Sequence, residues 1–225
     1  EDVKIDKFHR FFETLIPYFK HRGNGRFYEH DSDVFKFIVY ELFLYYVAIL
    51  LKYERFAELD EFLDREYMNN EDSYGSEVEG YLMFYNYLKS LEYRNERLRC
   101  QKLSLFSSMI RDRAKHSNID FLYLMQADFV LFLRAEHLYA NNWRRWWPQT
   151  LSYAEYTRKP LEIFFRAQSK KYFEKMKCVI GFDNEMELKS FIEEYYTNKR
   201  DIPRWQHCSF SPKGLANTNN LCIKK

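Results

Sequence analysis

VFKFIVYELFLYYVAILL, residues 34–51, is the most apolar stretch of the chain, and its reading decides the fold. Lys36 and Glu41 interrupt it. The uncharged run from Leu42 to Leu51 falls far short of the roughly 20 residues a membrane span needs. The stretch therefore reads as a buried helix, started by Asp31, Ser32 and Asp33 and running to about Lys52. Upstream, Phe8, Phe11, Phe12, Leu15, Ile16 and Phe19 recur at three- and four-residue spacing, which predicts a helix over 5–20 shortened by Pro17. His21 to Gly25 is the connecting loop. Downstream, Phe56, Leu59, Phe62 and Leu63 mark one face of a helix over 55–67, and the two helices form an antiparallel hairpin.

The hairpin resembles one unit of the tetratricopeptide repeats, but no second copy follows at a fixed period, so a repeat array is not expected. Asn69 to Ser76 is polar and reads as a loop. Helices are predicted over 77–99, 101–114 and 119–139, the last with Phe121, Leu122, Met125, Phe129, Phe132 and Leu133 on a wide apolar face. Asn141 to Pro148 breaks the pattern. Lys159-Pro160 starts a helix to about Lys177 that Gly181 is placed to end, and Asn184 with Glu187 forms a capping-box start for a last helix to about Asn198. The expectation is an all-α, irregular bundle of about eight helices over 1–199, with a polar, poorly ordered tail over 200–225.

Composition agrees. Six Gly and five Pro are too few for the tight turns of a β-rich fold of 225 residues. Val is sparse, while 21 Phe, 19 Tyr and 4 Trp require a core built from large rings. A net charge of +2 supplies no global field toward nucleic acid or anionic lipid, so any such binding must come from a local patch. Cys100, Cys178, Cys208 and Cys222 are scattered without a CxxC pair and read as reduced thiols of a cytoplasmic protein. The chain starts at Glu1 with no signal-peptide pattern, which reads as a piece of a longer protein.

Three constellations are candidates for function. Trp143-Arg144-Arg145-Trp146-Trp147-Pro148 places indoles and guanidinium groups in one loop, suited to gripping a base or an anion. The competing reading, in which the rings anchor the loop to the core and the arginines pair with acids, is favoured. Arg94, Arg97, Arg99, Lys102, Arg111, Arg113 and Lys115 form a basic run that could contact phosphates, although the reading as charged outer faces of two helices is favoured. Arg111 and His116 close that run. Their spacing resembles the motif of HEPN-type ribonucleases, which are all-helical. The resemblance would make His116 a general acid or base and Arg111 a phosphate-charge stabiliser, with no metal and with two copies of the motif meeting across a dimer. The chemistry is sound for a His titrating near neutrality beside a fixed cation, but such a pair is expected by chance at this composition. His207, Cys208 and Cys222 fit no zinc spacing, and no Gly-rich phosphate loop, HExxH or GxSxG occurs, so neither metal nor cofactor is expected.

Tyr40 to Tyr45 (YELFLY), Leu124 to Asp128 (LMQAD) and Trp146 to Thr150 (WWPQT) resemble C-terminal helical regions of large bacterial proteins of antiphage defence, some of which carry a TIR effector domain ahead of them. The resemblance implies a sensing or assembly half whose effector chemistry lies elsewhere. The leading expectation is a non-enzymatic helical module that binds a protein partner or ligand, or itself, without a membrane. Trp143 to Trp147, Arg97 and Arg113 are its candidate contacts, with nucleic acid or nucleotide reached through the basic run. The alternative is a metal-independent ribonuclease using Arg111 and His116.

Overall fold

The computed structural model describes residues 5–19, 28, 30–71, 75–157, 159–206 and 208–224, and its chain is 62% helix and 5% strand, an all-α fold with small hairpins. Helix α1 (Ile5–Leu15) gives way to a 3-10 segment (Ile16–Phe19) around Pro17, which cannot donate the next helical hydrogen bond. Phe12 is buried among Phe43, Phe62 and Phe84, whereas Phe8 and Phe11 stay largely on the surface. Helix α2 (Asp33–Lys52) contains the apolar stretch. Among the described residues it is the one helix long and apolar enough to cross a membrane, and 61% of that stretch is buried inside the fold. The buried Asp33 carboxylate accepts from the Ser90 N–H at 2.9 Å, which fixes the start of α2 to the chain that follows. A turn at 53–55, with Glu54 at φ 55°, leads to α3 (Phe56–Leu63), whose Phe56, Leu59, Phe62 and Leu63 are buried on the expected face.

Beyond Leu63 the structure departs from expectation. Of residues 69–76, read as a loop, 72–74 lie outside the described residues and the rest belong to a hairpin of β1 (Tyr67–Glu71) and β2 (Gly75–Glu79), with Tyr67 opposite Glu79. The helix expected over 77–99 is replaced by β2, a 3-10 segment (Tyr81–Phe84) and the short helix α4 (Lys89–Arg97). The cause is burial on all sides. Tyr81, Leu82, Met83 and Phe84 are all in the core, and the Tyr81 hydroxyl donates to the Leu131 carbonyl at 2.9 Å. Arg99 and Gln101 at positive φ separate α4 from α5 (Leu105–Ala114), whose N-cap Ser104 accepts from the Ser107 N–H.

Helix α6 (Phe121–Leu138), capped by Asp120, is the axis of the molecule: its residues 124–136 are all buried. It packs against α2, α8 and a long 3-10 segment (Gln149–Tyr156). The helix expected over 159–177 is broken into α7 (Glu162–Arg166) and α8 (Lys170–Ile180). The break is held by the chain end: the Cys222 and Lys224 N–H groups donate to the Ala167 and Gln168 carbonyls, and Lys170 N–H donates to Lys224 O. Gly181 ends α8 at φ 77°, and the Asn184 side chain caps α9 (Glu185–Glu193) by accepting from Met186 and Glu187 N–H, both as the sequence predicts.

The polar tail is a correction of the same kind. Residues 200–224 carry β3 (Arg204–Trp205), β4 (Cys208–Ser209), α10 (Pro212–Leu215) and a 3-10 turn, and Trp205, Phe210, Leu215, Ala216 and Leu221 are buried in the common core. Five apolar residues spaced through a polar segment suffice to dock it. Ten α-helices thus exceed the expected eight among the described residues, because the helix expected over 159–177 is split in two and the tail adds one.

Candidate interaction surfaces

Two polar residues of α6 organise the interior. The Asp128 carboxylate is enclosed and accepts four hydrogen bonds, from the Tyr40 hydroxyl (2.8 Å), Trp146 Nε1 (2.7 Å), the Thr150 N–H (2.8 Å) and the Thr150 hydroxyl (2.7 Å). Burial pushes its carboxyl up to about 6 against the pull of these donors. One turn and a half further on, the buried Arg134 pairs with Asp60 (2.8 Å) and Asp64 (2.5 Å) of α3 and its C-terminal turn, and donates to the Cys178 and Val179 carbonyls at the end of α8. Both terminal nitrogens of this buried guanidinium are engaged while its Nε finds no partner among the described residues, and a buried ion held from two helices in this way fixes how they meet. Neither group is open to a substrate.

The Trp–Arg loop divides accordingly. Trp146 is 1% exposed and stacks on Tyr40 at 5.3 Å while its N–H serves Asp128, so it is a core anchor. Arg144 binds Glu79 at 2.5 Å and Arg145 binds Glu136 at 2.6 Å, so both guanidinium groups have internal acids. Trp143 remains 76% exposed, with the Arg144 guanidinium 4.3 Å from its ring centre. Trp147 is half-buried, edge-on to Trp205 at 5.8 Å. With Tyr85, Gln149, Lys102 and Arg204, the rings of Trp147 and Trp205 line an open cleft of about 580 Å³, where an aromatic wall meets two cations and two acids, Glu92 and Glu96. Trp205 was not legible as a partner of Trp147, since the hairpin of β3 and β4 that carries it lies in the supposed tail.

The basic run is spread out. Arg97 is exposed at the end of α4. Arg113 Nε donates to Glu41 of α2 at 2.7 Å, and burial raises the Glu41 carboxyl while the guanidinium opposes it. The Arg111 guanidinium lies 4.6 Å over the Tyr153 ring, and His116 is exposed in the turn after α5. Among the described residues no hydrogen bond joins Arg111 to His116. His207 lies outside the described residues, Cys208 is buried with its thiol toward the Ser152 carbonyl, and no group of three His, Cys, Asp or Glu converges among the described residues.

Sequence reasoning missed one feature altogether. The open face of α2 carries Val34, Phe35, Ile38, Leu42 and Ile49, all apolar and all substantially exposed, next to Phe8 and Phe11 of α1. The signal was present in the spacing of these residues. It was hidden because the other faces of α2 are apolar too. A second apolar cavity, of about 880 Å³, opens beside α7 between Tyr123, Leu161 and Phe165. No family model, curated protein or solved structure matches the chain.

Proposed function

We propose that the chain is a non-enzymatic helical sensing and oligomerisation module of a larger cytoplasmic protein of the bacterial-defence kind, which works by binding a partner or ligand. The observation that carries this reading is the open face of α1 and α2, where seven large apolar side chains stand in the surface, five of them on α2. Contiguous apolar surface of this kind marks an interaction site. The polar chemistry points the same way: Asp128 and Arg134 are buried and held by partners inside the fold, and Arg144 and Arg145 are neutralised by internal acids. The cleft at Trp147 and Trp205 is the ligand-side surface of this reading, with ring faces for a planar group and with Lys102 and Arg204 set against Glu92 and Glu96 around it.

The ribonuclease alternative requires Arg111 and His116 to share a cleft, and Arg111 instead lies on Tyr153. Incubation of the chain with labelled single-stranded RNA, without metal, beside His116→Ala tests the choice. The expected result is intact RNA with both proteins. Cleavage by the parent and none by the variant would replace this reading with the ribonuclease.

A further inference from the structure

Resting on the assembly reading above, we infer that two copies of this chain pair antiparallel along α2, with the two-fold axis passing between Leu42 and Tyr45. Phe35, Ile38, Leu42, the half-buried Tyr45 and Ile49 succeed one another in steps of three and four, the heptad spacing of a helix–helix seam. A surface helix ordinarily turns one apolar stripe to its own core and charges to water. Helix α2 gives its core the opposite side, with Phe43, Leu44, Val47 and Leu51 enclosed, and turns this second stripe outward. Helix α1 lies along one flank and widens the strip, with Phe8 stacked on Tyr46 at 4.3 Å.

The area suits a second copy. The seven apolar side chains of α1 and α2 are 38–58% exposed, which leaves roughly 80 Å² open on each. With Tyr18 and Tyr53 at the ends the strip offers roughly 800 Å², the share that one partner brings to a standard interface. Charge selects the occupant and the direction. Between Phe35 and Ile49 the outward residues of α2 carry no charge, the exposed Lys7 and Arg10 beside Phe8 and Phe11 lie on the α1 side alone, and the far flank is closed by the neutralised pair of Glu41 and Arg113 at 2.7 Å. The cation that ends the seam is already engaged: Lys52 Nζ donates to the Asn118 carbonyl at 3.0 Å and lies 5.2 Å from the Tyr123 ring centre. Parallel pairing would set the two Lys52 ammonium groups at one level. Antiparallel pairing sends them to opposite ends, each beside Phe35 of the other copy, and sets Leu42 against Tyr45 and Ile38 against Ile49. Such a contact is isologous and closes as a dimer.

Light scattering on size-exclusion peaks, with the chain loaded from about 1 to 100 μM, is the experiment. The expected result is a concentration-dependent dimer. Leu42→Glu raises its dissociation constant by on the order of 100-fold or more, with the circular dichroism of the helices unchanged. Under mild oxidation Leu42→Cys forms a covalent dimer beyond the parent's background and Phe35→Cys does not, because antiparallel pairing holds the two Phe35 positions roughly 25 Å apart. Cross-linking through both positions would overturn the antiparallel arrangement. A monomer at every concentration, or a dimer indifferent to Leu42→Glu, would overturn the pairing itself. So would a monomer that floats with phosphatidylcholine–phosphatidylserine vesicles and loses them on Leu42→Glu, which would assign the strip to a lipid surface. These failures leave RNA cleavage untouched, so they are separable from failure of the non-enzymatic reading.

Discussion

Helices α2 and α6 lie against each other and are nearly equal in length, at 20 and 18 residues, yet they distribute their chemistry in opposite ways. Helix α6 is enclosed over thirteen consecutive residues and carries Gln126, Asp128, Arg134 and Glu136 inside. Helix α2 is the more apolar of the two and leaves apolar side chains outside. The contrast separates burial from hydrophobicity. A polar group goes inside when donors and acceptors from several elements converge on it, as Tyr40, Trp146 and Thr150 do on Asp128. An apolar group stays outside when its own chain supplies no further surface to cover it.

The largest effect that can break this contrast is the loss of the polar centre of α6. Asp128→Ala leaves four donors without an acceptor and is expected to cost about 3–5 kcal/mol, read as a shift in the urea midpoint. Leu42→Ser on the open face of α2 is expected to change the unfolding free energy of the monomer by less than about 0.5 kcal/mol. Equal costs would mean that the two helices do not differ in the way described.

The pH dependence sharpens the same point. Burial raises the Asp128 carboxyl to about 6 in the fold, against about 3.9 in an unfolded chain. Between those values the folded state holds the extra proton. The stability it contributes is therefore complete below about pH 4 and is lost as pH rises to about 6, by about 3 kcal/mol. Asp128→Asn cannot titrate, so its urea stability measured across that range should lack this fall. Parallel curves for the two proteins would show that the four donors keep the carboxylate charged throughout.

The smallest effect concerns the helix starts. Asp120 caps α6 through a hydrogen bond from the Leu122 N–H at 2.8 Å, so Asp120→Ala should cost about 1 kcal/mol in thermal unfolding. Ser32 stands at the same position of α2, but its hydroxyl is buried without a partner among the described residues. Ser32→Ala is expected to be neutral or slightly stabilising.

Local signals were read well where they are local in cause. Gly181, Asn184 with Glu187, Pro17 and the face of α3 all act within one turn of their own helix, and each sits where the sequence predicts. The same holds for Trp146, favoured as a core anchor because an indole buries so much area. The failures have distant causes. Residues 77–99 carry a helical pattern, but burial of Tyr81 to Phe84 on every side defeats it. The break between α7 and α8 is made by hydrogen bonds from residues more than fifty positions away. Trp205 reaches Trp147 from a segment whose polar composition concealed five core residues.

The sequence by itself determined the all-α class, the ring-built core and the helix caps, because composition, periodicity and capping are properties of neighbours along the chain. Tertiary structure alone decided which face of α2 is covered. A helix apolar on every side has no preferred inward face until α1, α3 and α6 occupy three of its flanks and leave the remaining one exposed.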